Sequence, residues 1–371
     1  MKLTVTIARI LTGLLFIFSG LVKAIDPRGL AYKMQEFFEA WANDGYFKGL
    51  MEMLNHYALP FSITMITLEV VVGVALLIGW QKKLTTWILL LLMLLFTFLT
   101  SYVLFSGKIR ACGCFGDCIP LTPIQTFSKD IVLLILAILL LMQRKYITPI
   151  AKPFFSFLYI LLTTVLTLWL QFHVLKHLPT VDCLPYKKGN DLLQLMKMPA
   201  DAVPDKYDYV FVYEKNGGKK DFAVSALPDS TWKFSERKEI LVQKGKNNVP
   251  AISDFSLSSE EGNVTQSILA NPNEYYFVFI KELPNDSKDW IAALQRISIM
   301  AKQQSKDFYV VTSERDVIAK FLGEKNVNFD GLLTCDAIVI KTVARVNPTL
   351  YKMKGAVVQG KWAGADFENV K

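Results

Sequence analysis

Three cysteines fall within seven residues in the stretch Lys108-Ile109-Arg110-Ala111-Cys112-Gly113-Cys114-Phe115-Gly116-Asp117-Cys118. Thiols so close together bind a metal, exchange disulfides or tie a loop. Zinc usually takes four ligands, and the histidines, His56, His173 and His177, stand far from the loop in sequence, so no metal centre is expected. Disulfide chemistry fits better. A cysteine attacks as its thiolate, and neighbouring cations lower its pKa; Lys108 and Arg110 precede Cys112, while Asp117 opposes them beside Cys118. The attacking thiolate is therefore placed at Cys112 or Cys114, and Gly113 and Gly116 leave the backbone free to bring sulfurs together. The alternative is a fixed tie in which the third loop cysteine is bonded to Cys183. For Cys335, at the end of a predicted strand, the readings are a resolving thiol or a cysteine that is buried or joined in a structural bridge, for instance to Cys183.

The elements that must hold this loop are apolar helices. Hydrophobic residues make up 52% of the 371, an average of two unlike materials that meet near residue 178. Before it lie apolar runs almost without charge; after it the charge is mixed and strand and helix patterns alternate. This excludes a wholly soluble enzyme, a disordered chain, a collagen-like fibre and a small disulfide knot. A span needs about 20 mostly apolar residues, and residues 3–24, 61–80, 84–105 and 154–174 supply them. A weaker span over 127–147 requires Lys129 to snorkel to the surface. The first segment lacks a small-residue cleavage site and is read as a span, not a signal peptide.

The net charge of +8 does not point to nucleic acid, because many basic residues flank the spans. With a cytoplasmic N-terminus, Lys2, Lys82, Lys83, Arg144, Lys145 and Lys152 all face the cytoplasm, as short basic loops should. Residues 25–60, 106–126 and everything after Lys176 then lie on the periplasmic side, together with every cysteine, which suits an oxidising compartment. Inside the spans, Arg9 and Glu69 are costly unless paired. The expectation is that they meet, either as a clamp between two helices or as a protonatable group serving a quinone or a proton path.

The string Ala8-Arg9-Ile10-Leu11-Thr12-Gly13, then Phe18-Ser19-Gly20-Leu21-Val22-Lys23-Ala24, Asp26-Pro27 and Cys112-Gly113-Cys114-Phe115-Gly116, resembles the DoxX and MauE redox-associated membrane proteins over residues 1–150. The resemblance implies a four-helix membrane bundle broadly similar to vitamin K epoxide reductase, a link to disulfide formation in exported proteins, and quinone as electron acceptor. Cys118, a fifth span and a long tail depart from that pattern.

In the tail, 209–213 and 220–224 flank Asn216-Gly217-Gly218, a hairpin signal. From Val249 onward come strand 275–280, helix 288–303, strand 307–312, helix 315–322, strand 331–334, helix 337–345 and a hairpin of 350–353 with 356–360, an α/β order. Pro250-Ala251-Ile252-Ser253-Asp254-Phe255-Ser256-Leu257 and Asn347-Pro348-Thr349-Leu350-Tyr351 resemble thioredoxin-like proteins of the TlpA and peroxiredoxin type over 245–371. The resemblance implies a cis proline at Pro348 beside a CxxC. Here the corresponding stretch, Lys281-Glu282-Leu283-Pro284-Asn285-Asp286, has no cysteine, so the tail is expected to bind a partner through the exposed edge at Pro348.

The chain thus divides into a DoxX/MauE-like transmembrane bundle (1–150), a fifth transmembrane helix and connector (151–180), a β-rich connector (181–244) and a thioredoxin-like α/β domain (245–371). The expected role is passage of electrons between thiols of periplasmic client proteins, or of a thioredoxin-like partner, and the inner membrane. Cys114 pairs with Cys112 or Cys118, Cys183 and Cys335 are relay candidates, and no metal takes part. The competing reading is a non-enzymatic membrane scaffold that presents a redox-dead domain to an envelope complex.

Overall fold

The computed structural model describes residues 1–109, 113, 115–215, 217–243, 245–283 and 288–370. Its N-terminal part contains helices α1 (Lys2–Ala24), α2 (Pro27–Asn43), α3 (Lys48–His56), α4 (Ala58–Ile78), α5 (Lys82–Ser106), α6 (Pro123–Met142) and α7 (Pro153–Lys176). Of these, α1, α4, α5, α6 and α7 are long and apolar enough to cross a membrane. The antiparallel pair α1 and α4 packs through small residues. A Cβ on Gly13 would sit 2.7 Å from Leu77, one on Gly73 would sit 2.8 Å from the Gly13 carbonyl, and one on Gly20 would sit 2.5 Å from Val70. Apolar helices in lipid gain their contacts by such close backbone approach.

Helix α6 begins at Pro123 because Thr122 and Gln125 cap it reciprocally. The segment between the first two spans, expected as a loop, instead holds α2 and α3. Asp26 accepts from the Gly29 N–H as N-cap, Pro27 occupies the first turn, and Ala31, Met34, Phe37 and Phe38 form the buried stripe.

After a short helix α8 (Leu192–Leu195) come β1 (Lys206–Lys215), β2 (Gly218–Ala223) and β3 (Lys233–Gln243), a three-stranded antiparallel sheet ordered β2-β1-β3. The chain continues through β4 (Ser258–Ser259), β5 (Gly262–Asn263), α9 (Thr265–Leu269), β6 (Glu274–Phe279), α10 (Lys288–Gln303), β7 (Phe308–Thr312), α11 (Arg315–Glu324), β8 (Gly331–Thr334), α12 (Ala337–Val343), β9 (Thr349–Lys354), β10 (Val357–Ala363) and a final 3₁₀ turn, Gly364–Asn369. The second sheet runs β10-β9-β6-β7-β8-β4-β5. β6, β7 and β8 are parallel, and β9 and β10 close one side as an antiparallel hairpin.

β6 is buried on both faces, which is why it reads as a continuous apolar run. Tyr275, Phe277 and Phe279 pack towards α12, whereas Tyr276 and Val278 pack against α10, α11 and the last turn. Tyr186 and Leu192 belong to the first of these cores. The backbone at Gly189, Asn190 and Leu192 bonds to the outer edge of β10. The first residues of the expected connector are thus built into the C-terminal core.

Candidate functional site

The membrane-embedded part and the C-terminal part meet at one end of the bundle. At the opposite end Arg9 donates to the carbonyls of Leu77 (2.8 Å) and Thr148 (3.1 Å), and the Ile150 N–H bonds to Ile78 O. The basic loops around Lys82 and Lys145 therefore share that far end. Arg9 and Glu69 do not pair. The antiparallel register sets Arg9 beside the C-terminus of α4 and Glu69 beside the end of α1, where it bonds to Lys23 at 2.6 Å. Arg9 and Lys23 stand about 21 Å apart along α1 at 1.5 Å per residue. Lys23, visible only as part of a sequence string, is the buried cation that the intramembrane carboxylate required.

At the junction Gly113, Gly116, Asp117 and Cys118 line a cleft together with residues of α1, α2 and the connector. Cys112, Cys114 and Arg110 lie outside the described residues. Cys118 is bonded to Cys183, a partner 65 residues away, so the expected bond from the loop to the connector is present among the described residues. Cys183 is thereby taken, and the alternative bridge from Cys183 to Cys335 is absent. Each bonded cysteine follows an aspartate held by a cation of the C-terminal part. Arg345 bonds to Asp117 and Asp26, both at 2.8 Å, and Lys361 bonds to Asp182 at 2.8 Å.

The Arg345 side chain is only 7% exposed, and its guanidinium lies 5.4 Å from the centre of the Tyr32 ring on α2. Burial works to lower its pKa, but Asp26 and Asp117 outweigh burial and hold it above its ordinary value. Burial also depresses the Lys361 ammonium, against the pull of Asp182. His177, at the end of α7, bonds to Asp366 in the final turn at 2.8 Å. None of these four ties was foreseen, since each depends on how the two parts dock. Asp26-Pro27 was visible as a motif, and its aspartate serves twice: one oxygen caps α2, the other receives Arg345.

A cleft of about 500 Å³ opens beside the disulfide, lined by Asp26, Lys33, Asp117, Cys118, Asp182 and Cys183 among others. Lys108, expected to lower the pKa of the loop thiols, instead contacts Asp44, and Tyr102 also donates to that carboxylate. Its charge is partly spent there. Cations of the C-terminal part, Arg345 and Lys361, hold the aspartates that precede the two bonded cysteines.

The Asn347–Pro348 peptide is cis. Pro348 is buried and its carbonyl accepts from the Gly364 N–H at 2.9 Å, so that carbonyl, part of the edge expected to receive a partner peptide, is taken by this chain. Lys281 and Lys341 approach the ring of Tyr32, which turns this end of the sheet towards the bundle. Of the stretch expected to lie beside Pro348, Pro284, Asn285 and Asp286 lie outside the described residues.

Cys335 is a free thiol, 3% exposed. Burial pushes its pKa up to about 11 from 9.0, which leaves about a hundredfold fewer thiolates at pH 8 than an exposed thiol has. Maleimide at that pH is expected to leave Cys335 unmodified in the folded chain and to label it after denaturation. Rapid labelling of the native protein would contradict the buried assignment.

A multi-pass arrangement of five candidate spans, followed by an α/β region with two sheets, defines the class: a membrane protein with a large extramembrane part. Comparison with known families adds that residues 1–143 match the family described as methylamine utilisation protein MauE, so the N-terminal part is a MauE membrane domain. Residues 207–244, the three-stranded sheet, match a family described as Domain of unknown function (DUF8463). The chain is also 32% identical over 165 residues to Protein TlpB of Flavobacterium psychrophilum, a match covering 44% of this chain and 42% of that protein. The chain thus spans less than half the length of this relative. No solved structure matches significantly.

Proposed function

We propose that this protein is a thiol–disulfide redox protein of the bacterial inner membrane, which passes electrons from thiols of periplasmic proteins to the membrane, with quinone as acceptor. One observation carries the reading: the Cys118–Cys183 bond lies in an open cleft at the bundle mouth, with Cys112 and Cys114 six and four residues upstream of Cys118. A thiolate at Cys114 attacking Sγ of Cys118 forms a Cys114–Cys118 bond and releases Cys183 as the thiolate, which then takes a proton. The exchange moves a disulfide between connector and loop without net electron change.

The parallel strands, the closing hairpin and the cis proline support a thioredoxin-like C-terminal fold. Its docking against the bundle supports a role as a cap over the thiol loop, in place of a free client-binding arm. Mapping of the five cysteines in membranes by mass spectrometry, before and after mild reductant, tests the reading. The expected result is a Cys118–Cys183 bond that opens first and exchanges with Cys112 or Cys114. A bond that resists reductant until the protein unfolds would favour the scaffold reading.

The basic loops at the far end support a periplasmic C-terminal part. A reporter active only in the periplasm, fused after Lys371, is therefore expected to be active. Activity of a cytoplasm-only reporter at the same place would reverse the orientation.

A further inference from the structure

The three-stranded sheet is a single layer with two unlike faces. Side chains alternate along a strand, and the register places Phe211 beside Phe222 and Arg237, and Tyr213 beside Lys220 and Phe234. Tyr207 and Tyr209 follow the same alternation, and the Trp232 ring packs 5.2 Å from that of Phe222. All seven aromatic residues between positions 206 and 243 thus share one face. A sheet ordinarily buries such a face against a second layer. Here none of the seven belongs to either core of the α/β part, and Tyr207, Tyr209 and Phe234 stand exposed, the last by 57%. The same face carries excess positive charge. Arg237, Lys215 and Lys220 lie 4.8, 5.7 and 5.6 Å from the ring centres of Tyr209, Trp232 and Phe222. Against these three cations stand Glu239, paired with Arg237, and Asp229 in the loop near Lys215. On the opposite face acidic and basic strand residues are equal in number.

We propose that this face docks an acidic segment of a partner protein, whose apolar side chains pack on the rings while its carboxylates meet Lys220 and Arg237. Such docking needs nothing of the thiols. Size and charge select the occupant. The ten residues of β1 and the width of three strands give roughly 33 by 14 Å, about 460 Å², whereas a stable interface buries about 800 Å² per partner, so the contact is transient. A second copy would set like charges face to face. In a bilayer, Arg237 and Glu239 would follow the rings into the acyl region, where charge is costly. An acidic protein segment meets neither obstacle, and cations that already rest on rings can pair with its carboxylates without leaving them.

The test uses the full chain in phosphatidylcholine nanodiscs and, as probe, a fluorescein-labelled copolymer of glutamate and tyrosine, read by fluorescence anisotropy. Binding is expected to weaken by at least about tenfold in Lys220→Glu/Arg237→Glu, where two attractive contacts become repulsive. It should weaken by less than about threefold in Lys219→Glu/Lys238→Glu, which makes the same change in net charge on the opposite face. Phe234→Ser, which removes an exposed ring and no charge, should weaken it at least about threefold. Hydrogen exchange in β1 checks that the sheet persists in each variant; where it does not, Lys220→Gln/Arg237→Gln and Lys219→Gln/Lys238→Gln take their place, with the same order expected. No binding by the wild type, equal weakening by the two charge variants, or equal affinity for polyglutamate, which lacks rings, would each overturn the proposal. So would capture of phosphatidylglycerol vesicles, or pairing of nanodiscs, that is lost with Lys220 and Arg237 and kept without Lys219 and Lys238.

Discussion

Replacement of Arg345 by methionine is expected to loosen the C-terminal part from the bundle and to destabilise the docked state by about 2–4 kcal/mol. Breaking a buried ion pair costs about 3–5 kcal/mol when the remaining charge stays buried, and here the discount comes from the carboxylates. Asp117 is 42% exposed and Asp26 21% exposed, so both recover much of their hydration once the guanidinium is gone. Hydrogen exchange should report the change first in the loop around Asp117 and in the stretch around Asp182, with the spans unaffected. Arg345→Lys separates charge from geometry. Lysine keeps the positive charge but cannot present two nitrogens to two carboxylates while lying flat over Tyr32, so the variant should recover less than half of the loss. Full recovery would mean that only the charge matters, and no change in either variant would mean that the disulfide and the remaining ties, Lys361–Asp182 and His177–Asp366, hold the two parts together without Arg345.

The reach of the sequence can be judged from particular elements. β6 to β9 and their helices were legible because both faces of the sheet are buried, so apolar runs and their breaks mark each element. β3 was missed for the opposite reason. Every one of its residues is exposed, and without a buried face there is no alternation to read. The fourth span starts at Pro123, four residues ahead of the expected start, because its beginning is set by a reciprocal cap and not by hydropathy. α2 carried its own signal in Asp26-Pro27 and the spacing of Ala31, Met34, Phe37 and Phe38, but so short an amphipathic helix between spans is easily read as loop. The wrong partner for Glu69 has a geometric cause. Which cation it meets is decided by the register of α1 against α4, and that register is set by glycine contacts between residues some 60 positions apart.

The same limit governs the cysteines, where the sequence marked the loop but left its pairing open. The observed pairing makes the separate loss of Cys118 and Cys183 the most informative comparison. Each serine variant removes the same bond, and the chain-entropy account assigns a loop of this length about 4 kcal/mol in a free chain. The spans α6 and α7 lie within that loop and are already held by the bundle, so the stabilisation lost should fall well below this figure. It should also be equal for the two variants.

Exchange should not be equal. Cys183→Ser leaves Cys118 in the loop, four residues from Cys114, where the two can still form the short-range pair; Cys118→Ser leaves Cys183 without its loop partner. The rate at which membranes oxidise a reduced client protein is therefore expected to fall by at least about tenfold in Cys118→Ser and by less than about threefold in Cys183→Ser, because exchange depends on access between the attacking thiolate and the sulfur attacked. Equal losses in the two variants, with matching losses of stability, would make the bond a structural tie and would favour the scaffold over the redox protein. A larger loss in Cys183→Ser would place the working sulfur on the connector, so that electrons enter beneath the C-terminal cap, beside Lys361 and Asp182.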